Sequence, residues 1–195
     1  MIRIYLTLVD IVPAAVVLIP LFLIFYFTIY KRNARKSFLY SLFCLYLSAV
    51  FALVGIPNIT YFRPDLNLNL IPFSGMISDL KNSVLNIALL LPFGFFLPVL
   101  WGKFRKLRSA VMMGFSLSLF IELLQTLTFR ATDVNDLITN VLGTVTGFLI
   151  AKPIADKCLP VAKENRDVYG LIMLSFGIMF FVHPFLSPMI WDRIL

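Results

Sequence analysis

Long apolar blocks separated by short polar interruptions run through the chain, with neither the strict alternation of a half-buried strand nor the one-sided stripe of a soluble helix. At about 1.5 Å of rise per residue, roughly 20 helical residues cross a hydrocarbon core of about 30 Å. Six stretches fit that demand, at about 8–30, 37–56, 83–101, 109–129, 136–151 and 169–187. A helix is the only form in which such a stretch satisfies its own backbone in lipid. The pattern therefore predicts an all-α, polytopic membrane helix bundle with six transmembrane helices, formed as a single transmembrane domain over 1–195.

Pro13 and Pro20 should kink the first span, and neighbouring helices then cover the freed carbonyls. No small-residue cleavage site closes a short apolar core near the N-terminus, so this stretch reads as a first helix rather than a cleaved signal peptide. Pro92 and Gly94 mark a mid-membrane kink in the third span, and Trp101 stands where an aromatic-belt residue would.

The segment 57–82 breaks the rhythm. It holds three prolines and several asparagines, with no apolar run long enough to span, yet Leu68, Leu70, Ile71, Pro72 and Phe73 are too apolar for plain disorder. It should lie in the interface, dip back toward the bundle or act as a lid. Asp79, Asn82, Ser83 and Asn86 then form a polar stripe at helical spacing that leads into the third span.

Composition agrees with the pattern. The chain is 60% hydrophobic and 14% charged, with a mean hydropathy of +0.92, far outside the soluble range. Its net charge of +7 could suggest nucleic acid, but the basic residues come in short clusters between apolar runs, as orientation signals do. Lys31, Arg32, Arg35 and Lys36 follow the first span; Lys103, Arg105, Lys106 and Arg108 follow the third; Lys152, Lys157, Lys163 and Arg166 follow the fifth. Only Arg3, Arg63, Lys81, Arg130 and Arg193 fall on the other side. The positive-inside rule then predicts both termini outside. Cys44 and Cys158 read as filler rather than a disulfide, and no metal or cofactor signature is present.

With that orientation, the candidate chemistry collects at the outer surface. Glu122 and Gln125 lie one turn apart on one face of the fourth span, which Ser118 extends inward; Asp136 and Asn140 share a face at the entry of the fifth. Asn86 arrives on the third span at similar depth, Arg130 and Asp133 sit in the intervening turn, and His183 lies in the outer third of the sixth span. A carboxylate at membrane depth costs a few kcal/mol on insertion scales and seeks a partner or a watery cavity. These residues can recognise a polar head group through charge-assisted hydrogen bonds, or clamp helices together. Gly143 and Gly147 form a G-x-x-x-G spacing that belongs to close helix packing.

NLIPF at 69–73, NIALLLPFGFFLPVLW at 86–101, IELLQ at 121–125 and RATDVNDLITNVLGTVTG at 130–147 resemble the VanZ-like family of bacterial membrane proteins. The resemblance covers about 68–151 and is carried by Asn86, Glu122, Gln125, Arg130, Asp133, Asp136 and Asn140. Ala131 and Thr132 depart from it where relatives often show a small residue and an aromatic. The resemblance implies a multi-pass protein of the bacterial plasma membrane linked to glycopeptide (teicoplanin) resistance. It carries no agreed activity to transfer. The expected function is non-enzymatic binding of a membrane lipid, a lipid-linked envelope precursor or a lipoglycopeptide antibiotic at an outward-facing polar cavity, through those seven residues. An alternative is an intramembrane enzyme or flippase acting on a lipid-linked substrate, with Glu122 or Asp136 as general base and Arg130 holding a phosphate.

Overall fold

The computed structural model describes residues 16, 20, 22–24, 26–27, 33–64, 68–74, 79–128, 132–158, 160–162 and 165–191. Its helices are α1 (Ala34–Val54), α2 (Leu80–Leu100), α3 (Leu107–Gln125), α4 (Val134–Lys157), α5 (Arg166–Gly177) and α6 (His183–Trp191). A π-helical turn, Ile178–Val182, joins the last two. Five spans among the described residues are long and apolar enough to cross a membrane: α1, α2, α3, α4 and the continuous Arg166–Met189. The chain is an all-α polytopic helix bundle. Most of the first predicted span, 8–30, lies outside the described residues.

The contacts divide into two compact units, Met1–Phe62 with Arg166–Leu195, and Arg63–Asn165. In the first, α1 packs on α5. The Asn33 side chain caps α1 by accepting the Lys36 N–H at 3.0 Å, and Gly55 ends the helix at φ 64, a left-handed conformation that suits a residue without Cβ. Tyr40 donates to Asp167 at 2.9 Å, and Lys36 reaches the same carboxylate at 3.0 Å. The π-turn has a local cause: Pro184 has no N–H to offer the Phe180 carbonyl four residues earlier, and Ile59 N–H takes it at 3.2 Å.

The second unit contains α2, α3, α4 and most of the 57–82 segment, and its core is the contact of α2 with α4. A Cβ on Gly94 would fall on the Thr144 carbonyl, one on Gly143 on the Ile87 carbonyl and one on Gly147 on the Leu91 carbonyl. From α3, Gly114 faces the Thr144 side chain, whose Oγ1 would lie 2.5 Å from an added Cβ. Small residues thus bring three helix backbones together where lipid offers no hydrophobic drive for association.

The residues turned outward agree with a membrane setting. On α3, Ser118, Glu122 and Gln125 are buried while Met112, Phe115, Leu119 and Leu123 are 40–58% exposed. That is the inversion expected of a helix with lipid on one side and polar partners on the other.

At the opposite end of this unit the aromatic-belt expectation for Trp101 is corrected. Trp101 is fully buried, edge-on to Phe104 at 6.2 Å, and Ala162 bridges to it in parallel. Gly102 N–H donates to Ala162 O at 3.0 Å, Ala162 N–H to Leu100 O at 2.8 Å, and the Arg105 guanidinium donates to the Cys158 carbonyl.

Candidate functional site

The helix end where α2 begins, α3 stops and α4 begins is built almost wholly from polar side chains satisfying backbone. Asp133 caps α4 by accepting the Asn135 N–H at 2.8 Å, and its other oxygen accepts from Asn69 Nδ2 at 3.1 Å. Glu122 Oε2 accepts the Asp133 N–H at 3.2 Å, and Thr132 Oγ1 donates to the Glu122 carbonyl at 3.1 Å. The carboxylate that ends one membrane helix therefore holds the start of the next.

Arg63 and residues 68–74 are stitched onto this turn. Arg63 N–H donates to Leu127 O at 2.9 Å, and Leu68–Asn69 pairs in parallel with Thr132–Asp133. Asn135 then acts as a backbone mimic: its Oδ1 accepts the Phe73 N–H at 2.6 Å and its Nδ2 donates to Ser74 O at 2.9 Å. Phe73 has φ 64, a costly conformation for a residue with a Cβ, and Asn135 holds it there. Leu70, Ile71 and Phe73 remain 67–69% exposed, an apolar edge at this end of the unit.

Beside this turn, α2 and α4 part to leave an open groove of about 340 Å³, lined by Phe73, Leu80, Ser83, Val84, Ile87, Thr139 and Leu142. Its two hydroxyl residues add little polarity. Ser83 Oγ donates to Asp79 O at 3.3 Å, and Thr139 Oγ1 to Asn135 O at 2.9 Å, so both turn back to their own helices. Off the groove's lining but on the same two helices, Asn86 hydrogen-bonds the Asp136 carboxylate, joining α2 to α4.

The candidate residues divide by what they touch. Asn86 and Asp136 form a pair between α2 and α4. Glu122, 4% exposed, and Asp133 hold the α3–α4 turn. Asn140 is buried on α4 and donates to Ser118 Oγ at 3.0 Å, while Gln125 is buried at the end of α3. Arg130 lies outside the described residues, and His183 belongs to the other unit as the first residue of α6. Among the described residues no group of three His, Cys, Asp or Glu could hold a metal ion.

Sequence reasoning missed Asn135 and the groove wall. Asn135 adjoins Asp136 but lies about 100° round α4 from it and bonds the 68–74 segment, and the wall is made of ordinary apolar residues that only tertiary packing gathers. Gly94, expected as a kink, is the contact surface for Thr144.

A family model, VanZ/LLP1, matches residues 17–156, well over half of the 195-residue chain. The chain belongs to the VanZ/LLP1 family. The match takes in the 68–151 stretch of the sequence resemblance and extends to both sides of it, so this VanZ/LLP1 membrane protein shares with its family α1 as well as the α2–α4 unit. No curated protein and no solved structure gives a significant match.

Proposed function

We propose that this VanZ-like protein, in the bacterial plasma membrane, binds an amphiphile with its apolar chain in the α2–α4 groove and its polar head at the Asn86–Asp136 pair. The observation that carries the reading is that an apolar groove and the polar Asn86–Asp136 pair lie on the same two helices. Ligand sites run from about 300 to 1,000 Å³, so a groove of about 340 Å³ suits one lipid tail and is too small to enclose a whole glycopeptide. A lipid or lipid-linked envelope precursor therefore fits better than complete burial of teicoplanin, whose acyl chain alone could enter. Any contribution to glycopeptide resistance would follow from that binding.

The distribution of the basic clusters, read by the positive-inside rule, supports an outer-leaflet position for this pair. Glu122 and Asp133, both committed to the α3–α4 turn, support that pair as framework. That engagement favours binding over a general-base role for Glu122.

The test is native mass spectrometry of purified protein carrying Leu142→Trp, a side chain that fills the groove from a 47% exposed position on α4. Wild type should retain co-purified lipid that the variant loses, with helicity unchanged. Equal retention by both would sink the reading.

A further inference from the structure

Residues 68–74 are held at the level where three membrane helices start or stop. Asn69 bonds Asp133, whose own N–H is fixed to Glu122, one turn inside the end of α3. Gly143 meets Ile87 and Gly147 meets Leu91, so α2 and α4 run side by side in one direction. Carried back along both helices, this register sets Asn135 level with Asp79, the residue that caps α2. Phe73 and Ser74 are tied to Asn135. The segment therefore lies beside the outermost turns of the spans and not beyond their ends.

Its backbone is closed off in the way that position demands. Ile71 N–H donates to Asn69 Oδ1 at 3.4 Å, Pro72 has no N–H, Phe73 N–H donates to Asn135 Oδ1, and Ser74 N–H donates to Ile71 O at 3.4 Å. Leu68–Asn69 pairs with Thr132–Asp133. Non-helical chain is tolerated at membrane depth only where its polar groups are met by protein. The side chains face the other way. Leu70, Ile71 and Phe73 are exposed, and Phe73 is presented from a strained backbone at φ 64. Phe73 shares a groove wall with Leu80 and Val84, themselves more than half exposed on the first turns of a membrane-spanning helix.

We propose that residues 68–74 form a membrane-inserted strap, with Leu70, Ile71 and Phe73 entering the acyl boundary of the leaflet at this end of the α2–α4 unit. The partner of this apolar edge is bilayer lipid, because the edge continues the outward surface of α2 through Leu80 and Val84. An apolar patch of this kind marks an interaction surface, and here the spans beside it already stand in lipid. The contact is independent of what the groove holds.

The experiment uses the full chain in phosphatidylcholine vesicles, with Cys44→Ala and Cys158→Ser and a nitroxide attached at Leu70→Cys or Ile71→Cys. Relaxation by oxygen, which concentrates in the hydrocarbon, is compared with relaxation by a water-soluble nickel chelate. Leu149→Cys, exposed on α4, supplies the lipid reference and Lys157→Cys, exposed at the end of α4, the aqueous one. The oxygen-to-nickel ratio at 70 and 71 should exceed that at 157 severalfold and approach that at 149.

A ratio equal to that at 157 overturns the proposal, because the edge then faces water. Low access to both reagents overturns it as well, because another part of the chain or a second copy then covers the edge. Ile71→Trp reads the same contact with both native cysteines in place. Its added fluorescence should be quenched by phosphatidylcholine brominated high on the acyl chains and spared by aqueous acrylamide. Quenching by acrylamide alone contradicts the strap.

Discussion

Glu122 Oε2 accepts the backbone N–H of Asp133 at 3.2 Å, so a buried carboxylate on α3 sets the first turn of α4. The bond needs an acceptor at that position and not a negative charge. Glu122→Gln keeps an acceptor of the same reach, while Glu122→Ala leaves the N–H without its partner. Unfolding in detergent should show a loss of less than about 1 kcal/mol for the amide and about 1.5–3 kcal/mol for alanine. Equal losses would mean that the charge itself, and not the bond, matters there.

Asn135 is expected to control the 68–74 segment. Asn135→Ala removes both bonds to Phe73 and Ser74 and frees a residue held at φ 64. Hydrogen exchange of residues 68–74 should rise by an order of magnitude or more with the helices still protected. Phe73→Gly should relieve about 1 kcal/mol of backbone strain while removing one wall of the groove. Stability would then rise as lipid retention falls, a combination that a purely structural segment does not predict.

The α2–α4 contact tolerates no side chain at its glycines. Gly147→Ala would drive a methyl into the Leu91 carbonyl and should cost about 1–3 kcal/mol through displaced backbone, whereas Gly170→Ala in α5 meets nothing within 4 Å and should be neutral or mildly stabilising. Thermal unfolding of the two variants side by side measures the difference.

Asn140 and Ser118 form a buried interhelical hydrogen bond between α4 and α3. A double-mutant cycle with alanine at each position should return a coupling of about 0.6–1.7 kcal/mol. A coupling near zero would show that each side chain finds another partner once the first is lost.

What the sequence revealed and concealed follows from how each feature is encoded. The spans were legible because apolar length is a local property, and Glu122, Gln125, Asp136 and Asn140 stood out because polar groups are expensive in such segments. Helical spacing also paired Glu122 with Gln125 and Asp136 with Asn140 along their helices; Glu122, Gln125 and Asn140 are buried, and all four lie in one unit.

The docking of 68–74 on the α3–α4 turn was not legible in the sequence. Its anchors are a two-residue parallel pairing and the Asn135 bonds, and neither leaves a periodic trace. Gly94 beside Pro92 reads as a kink in one dimension and as a contact in three. Trp101 followed by basic residues looks like a belt residue, yet it is fully buried with Ala162 paired against it. The groove was invisible because Val84, Ile87 and Leu142 differ from lipid-facing neighbours only in what stands opposite them.

That distinction gives the most direct test of the account. A lipid carrying a photoactivatable group in its acyl chain, crosslinked to the full chain in vesicles and mapped by peptide mass spectrometry, reports which apolar residues hold a tail. Binding in the groove predicts adducts concentrated on Val84, Ile87 and Leu142 and displaced by excess unlabelled lipid, with few on Leu149 and Ile150, which are also exposed on α4. Adducts spread evenly over the exposed faces, with no displaceable fraction at the groove, would contradict it.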